Sequence, residues 1–197
     1  MVLPNQLTTL RIILTPVFLY LFLSDEPLLM QISLVVYIIA AITDWYDGWL
    51  ARKFNYITTW GKFMDPLADK ILTSAAFFGF VCIDVLPLWM VIIVVARDVV
   101  ITGLRLFAEW KKKSFTTSNI AKIKTFIQMV FIFYLLFVFT LKENEYLANQ
   151  FPDVFNVLTN IEMIYYIMFV ITLFTFITGI IYLYQNRILI SRLFVSK

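Results

Sequence analysis

Apolar residues fill six stretches of membrane-spanning length, broken by short polar segments. A membrane-crossing helix needs about 20 predominantly apolar residues. The first stretch, residues 7–23, is interrupted by threonines and Arg11. Asp25 and Glu26 follow it with no small-residue cleavage site, so it reads as a retained helix, partly interfacial at its start, and not as a signal peptide. Residues 28–43 form the second stretch, which runs on into a polar segment, and residues 54–60 are a polar-aromatic connection. The third, residues 61–83, carries Pro66 near its first turn, where proline is tolerated. Asp84 to Pro87 predicts a tight turn before the fourth stretch, residues 88–110. A basic loop, residues 111–119, leads to the fifth, residues 120–141. Residues 142–160 read as the longest loop, acidic and polar, and residues 161–184 as the sixth stretch. The expectation is an all-α, polytopic integral membrane protein with six transmembrane helices.

Composition narrows this further. The 197 residues are 61% apolar and 15% charged, unlike an average soluble domain. No polar block is long enough to fold alone, which predicts a single membrane-embedded domain over residues 1–197. A net charge of +3 is too small to indicate nucleic acid as a partner. Cys82 is the single cysteine and there is no histidine, so disulfides, thiolate metal motifs and His-activated nucleophiles are excluded. Acids dominate the turns after the first, third and fifth stretches. Lys and Arg dominate the connections after the second and fourth, and the tail with Arg187, Arg192 and Lys197. The positive-inside rule therefore places both termini and the polar segment on the cytoplasmic side.

That polar segment, Asp44 to Lys70, contains Asp44, Asp47, Asp65 and Asp69. A carboxylate in a low-dielectric setting must be paired, protonated or bound to a cation. Asp44 and Asp47 are three residues apart, and Asp65 and Asp69 four apart, so each pair shares a helix face. For two antiparallel helices rising about 1.5 Å per residue, Asp44 and Asp69 reach similar depth, and so do Asp47 and Asp65. An all-oxygen cluster of this kind suits Mg²⁺ or Mn²⁺. Gly48 and Ala51 beside it permit close approach of a large ligand, and Arg52 offers bidentate donors for phosphate.

A second set of charges lies in the fourth and fifth stretches. Arg97 and Arg105 sit within a span, where arginine usually faces a polar cavity. Lys124 reaches the depth of Arg105, while Lys122, two residues away, points to the other side of its helix. Arg97, Arg105, Lys124 and Lys122 are candidates for a phosphate pocket. Asp98 shares a side with Arg105 and is expected to orient it.

The spacing Asp44-x2-Asp47-Gly48-x2-Ala51-Arg52-x8-Gly61-x3-Asp65-x3-Asp69 resembles the motif of the CDP-alcohol phosphatidyltransferase family at every fixed position. The resemblance implies transfer of the phosphatidyl group of a CDP-linked lipid to an alcohol, with release of CMP. It implies that Asp44, Asp47 and Asp65 hold metal, that Asp69 binds metal or acts as the general base, and that Gly48, Ala51, Arg52 and Gly61 surround the CDP moiety. Asn5, Thr8, Arg11, the segment Ala96 to Arg105, and Lys122, Lys124, Thr125 and Gln128 are similar to the branch that uses glycerol 3-phosphate, the phosphatidylglycerophosphate synthases. This similarity runs through about the first 130 residues. It implies CDP-diacylglycerol and glycerol 3-phosphate as substrates, a basic cluster that holds the acceptor's phosphate, a homodimer, and a bacterial cell membrane as the location. Asn5, Thr8 and Arg11 line the nucleotide end of the cavity, or else Arg11 binds a lipid phosphate at the interface. The rival readings are a cardiolipin synthase of the same family and, from another class, a cation transporter.

Overall fold

The computed structural model describes residues 3–54, 59–111, 113 and 119–195, and among them every regular element is a helix. In chain order these are α1 (Leu3–Phe22), α2 (Pro27–Phe54), α3 (Thr59–Cys82), α4 (Leu88–Trp110), α5 (Asn119–Lys142), α6 (Glu145–Gln150), α7 (Pro152–Leu158), α8 (Ile161–Gln185) and α9 (Arg187–Val195). The fourth apolar stretch becomes α4 with the expected bounds. Asp84 takes φ 57 in the turn before α4, a left-handed conformation that aspartate tolerates better than most residues.

Three segments among the described residues are long and apolar enough to cross a membrane: Pro27–Asp44, Lys122–Lys142 and Pro152–Gln185. Six had been expected. The difference has a chemical reason in α3 and α4, which are 24 and 23 residues long. They carry Asp65, Asp69, Lys70, Arg97, Asp98 and Arg105, and these charges lower their hydropathy. The apolar part of α1 is shorter, Gln6–Phe22.

Residues 142–160 are not an open loop. Asn144 accepts from the Leu147 backbone N–H at 3.3 Å and starts α6. Pro152 stands in the first turn of α7, and Asn160 accepts from the Met163 N–H at 3.0 Å to start α8. Side-chain caps and a first-turn proline satisfy or remove N–H groups that a helix start leaves unbonded. The tail also folds back as α9, where Lys111 Nζ donates to the Leu193 carbonyl.

The packing centres on α1. Its buried residues Thr8, Arg11, Thr15, Phe18 and Phe22 recur at intervals of three and four, which makes one continuous stripe. The lower half of the stripe is aromatic. Phe18 meets Tyr37 of α2 at 5.1 Å between ring centroids, and Phe22 meets Phe80 of α3 at 5.0 Å. Tyr37 and Phe80 in turn contact Phe133 and Phe139 of α5 at 5.4 and 5.8 Å. These edge and tilted geometries are favoured by aromatic pairs. Among the described residues α1 packs extensively on both α2 and α3, which touch each other more sparingly, so α1 joins the two acidic helices.

Close approach of α1 to α3 depends on Gly79. A Cβ added there would sit 2.9 Å from Cδ1 of Phe22 and 3.4 Å from Leu19. Replacing Gly79 by Val should therefore destabilise the fold by about 1–3 kcal/mol through overpacking. Thermal unfolding in detergent checks this, and an unchanged midpoint would contradict the α1–α3 contact.

Candidate active site

The upper half of the α1 stripe is polar, and it meets the acidic residues of α2 and α3. Arg11 is completely buried, and its Nη1 lies 2.6 Å from Oδ1 of Asp44. One turn earlier, Thr8 Oγ1 donates to Oδ1 of Asp65 at 2.5 Å. Asp44 of α2 lies in like-charge proximity to Asp65 and Asp69 of α3. On the third carboxylate, Lys70 Nζ lies 3.0 Å from Oδ2 of Asp69.

The three carboxylates share a pattern. One oxygen of each is held by a fixed partner: Oδ1 of Asp44, Oδ1 of Asp65 and Oδ2 of Asp69. The second oxygen of each has no hydrogen-bond or ion-pair partner among the described residues. Among those residues no three acidic side chains are drawn together tightly enough to enclose one ion. The donor set still fits a hard divalent cation, because it offers uncommitted carboxylate oxygens from two helices in like-charge proximity.

The basic residues gather on Asp98, which is only 7% exposed. Lys124 Nζ, itself buried, donates to its Oδ1. Arg97 Nη1 reaches the same oxygen at 3.1 Å, and Lys70 Nζ lies 3.8 Å from Oδ2. Lys70 thus stands between Asp69 and Asp98 and couples the acidic cluster to the basic one. A small pocket between α3, α4 and α5 opens beside this junction, lined in part by Lys70, Ser74, Asp98, Thr125 and Gln128.

The sequence-predicted residues divide accordingly. Asp44, Asp65, Asp69, Thr8, Arg97 and Lys124 are brought to this region. Gly61 is buried in the first turns of α3. Arg105 is exposed and pairs with Glu109 at 3.4 Å, one helical turn along α4. Asp98 therefore orients Arg97 and the two lysines, not Arg105, which lies two turns farther along α4. Lys122 is exposed, so Lys124 is the lysine that turns inward. Arg11 is buried against Asp44. The side chains of Asn5, Asp47, Gly48, Ala51 and Arg52 lie outside the described residues.

Sequence reasoning missed Lys70 and the central place of Asp98. Lys70 directly follows Asp69, and adjacent residues on a helix point about 100° apart, which hides their shared role. The signal that was available is that Lys70 is a cation within a helix of membrane length, a position that requires a partner.

The family described as CDP-alcohol phosphatidyltransferase matches residues 1–171. A protein of Bacillus subtilis named CDP-diacylglycerol--glycerol-3-phosphate 3-phosphatidyltransferase is 40% identical over 146 residues, covering 68% of this chain and 76% of its own length. Proteins with the same name from Salmonella typhimurium and Rickettsia typhi are each 38% identical. The first alignment covers 68% of this chain and 75% of the relative, and the second 64% and 71%.

Removing Asp98 would leave the buried Lys124 and the partly buried Lys70 and Arg97 without their common anion. Asp98→Asn should destabilise the protein by about 3–5 kcal/mol, as for other buried pairs that lose one partner. The double change Asp98→Asn with Lys124→Met should recover part of that loss. Denaturant unfolding in detergent measures both, and purely additive effects would contradict the pairing.

Proposed function

The chain belongs to the CDP-alcohol phosphatidyltransferase family, and on that premise we propose that it transfers the phosphatidyl group of CDP-diacylglycerol to glycerol 3-phosphate. The products are phosphatidylglycerophosphate and CMP. The observation that carries this reading is Lys70, which bridges Asp69 and Asp98. It sets a carboxylate able to accept a proton beside a group of cations able to hold a phosphate. An acceptor with a hydroxyl at one end and a phosphate at the other fits both halves. The names of the relatives include such an acceptor, glycerol 3-phosphate.

In this reading Arg97 and Lys124, steadied by Asp98, hold the acceptor's phosphate, with Arg105 and Lys122 nearer its entrance. Charge-assisted bonds from a guanidinium suit that task. Asp69 accepts the proton of the primary hydroxyl through the oxygen that Lys70 leaves free. The hydroxyl oxygen then forms a bond to the phosphorus that bears diacylglycerol. The bond from that phosphorus to the oxygen of CMP breaks, and CMP leaves with the electron pair. Positioning the two reactants supplies much of the acceleration. No covalent intermediate is needed.

The CDP moiety lies along Asn5, Thr8, Asp44, Gly48, Ala51, Arg52 and Gly61. Asp44, Asp47, Asp65 and Asp69 would hold Mg²⁺ or Mn²⁺. When bound, the cation supplies neutralisation of the diphosphate charge that grows toward the leaving group. In this reading the chain is one domain with six spans, with both termini and the site on the cytoplasmic side, and it assembles as a homodimer in a bacterial cell membrane. Loop charge supports the orientation, and the family resemblance supports the dimer.

Radiolabelled glycerol 3-phosphate supplied with CDP-diacylglycerol should enter the lipid fraction with release of CMP. A chelator should stop incorporation, and Mg²⁺ or Mn²⁺ should restore it. Transfer to phosphatidylglycerol in place of glycerol 3-phosphate would overturn the acceptor assignment. Asp69→Asn should still bind CDP-diacylglycerol, yet lose about 100-fold or more in turnover, the range for a removed general base. Near-normal turnover would exclude Asp69 from that role.

A further inference from the structure

The second half of α8 lies beyond residue 171, where the family match ends, yet it faces the basic cluster. Thr172, Thr175, Thr178, Gly179 and Tyr182 are buried there. Their spacing of three and four places them on one side of the helix. This side packs against α4, and the contact is made with Arg97.

Two features of α8 fix that arginine. Arg97 Nη2 donates to Thr178 Oγ1 at 3.4 Å. The Thr178 hydroxyl gives its own proton to the Thr175 carbonyl at 3.0 Å, so it meets Arg97 as an acceptor. Next to it, Gly179 leaves no room for a side chain. A Cβ there would lie 2.9 Å from Cγ of Arg97 and 3.5 Å from Nε. Gly179 has no positive φ, so its glycine is explained by close approach and not by backbone conformation. With Nη1 on Asp98 and Nη2 on Thr178, Arg97 keeps a buried Nε that has no partner among the described residues. An N–H left in that state is a donor lacking its acceptor.

We propose that Gly179 and Thr178 are positioning residues for the acceptor: they seat Arg97 against α8 and so determine how tightly a phosphorylated alcohol is held. This inference rests on the reading of Arg97 as a ligand of the acceptor's phosphate. A simple brace between α4 and α8 would affect stability and both substrates alike. A positioning role affects the acceptor alone.

The test uses the purified full chain in detergent micelles. KM and kcat are measured for glycerol 3-phosphate at saturating CDP-diacylglycerol, and for CDP-diacylglycerol at saturating glycerol 3-phosphate. Gly179→Ala should raise the KM for glycerol 3-phosphate about tenfold, a loss of uniform acceptor binding, with the KM for CDP-diacylglycerol within about twofold of wild type. Thr178→Val should move the same KM in the same direction by a smaller factor, and Thr178→Ser, which keeps the acceptor oxygen, should restore it. Should Gly179→Ala fail to fold, the threonine pair carries the test. An active wild type with unshifted variants, or with both KM values shifted together, overturns the positioning role alone. A wild type that uses no phosphorylated acceptor overturns the functional reading beneath it as well.

Discussion

Carboxylates on helices of membrane length need a counter-charge or a hydrogen-bond donor, and here α1 provides both from a single stripe. Arg11 pairs with Asp44 of α2, and Thr8 donates to Asp65 of α3. The same stripe continues downward as Phe18 and Phe22, which stack into the aromatic contacts of α2 and α3. Polar and aromatic contacts thus fix the same three helices at two levels. Buried ion pairs add little net stability, because desolvation offsets the attraction. What Arg11 contributes is geometry: it holds one oxygen of Asp44, and the other has no partner among the described residues.

A comparable economy governs the basic side. Asp98 gathers Arg97, Lys124 and Lys70. Cations this close would repel one another without it. Lys70 is shared with Asp69, so the acidic and basic clusters cannot shift independently. A site that must bring a hydroxyl to a carboxylate while gripping a phosphate benefits from that coupling, since small displacements between reacting groups are costly. The outer wall comes from α8, where a threonine and a glycine meet Arg97.

Much of this was legible in the sequence, and the failures have physical causes. Hydrophobic runs gave the long helices closely, α4 to the residue, because a membrane-length apolar run has few alternatives. The three-residue and four-residue spacings put the acidic residues on α2 and α3. Periodicity identifies a face but not the neighbour that covers it. For that reason the packing of α1 on both acidic arms was not legible. The α1 stripe was obscured because its members are threonine, arginine and phenylalanine, which no single hydrophobic pattern unites. Asp98 was assigned to Arg105 by helical side alone. The contacts from Lys70 and Lys124 arrive from other helices, at separations in sequence that no local pattern encodes. The helices within residues 142–160 were missed because their polar composition outweighed the capping residues Asn144, Pro152 and Asn160.

The central claim is that acidic residues from two different helices, braced by a third, form one cation site. Binding of Mn²⁺ to the purified protein, followed by electron paramagnetic resonance, tests it directly with Asp44→Asn on α2 and Asp65→Asn on α3. The account predicts that the unaltered chain binds Mn²⁺ with high affinity and that each substitution alone abolishes this binding. Wild-type Mn²⁺ uptake in either variant would contradict it, since the two helices would then not contribute to a common site.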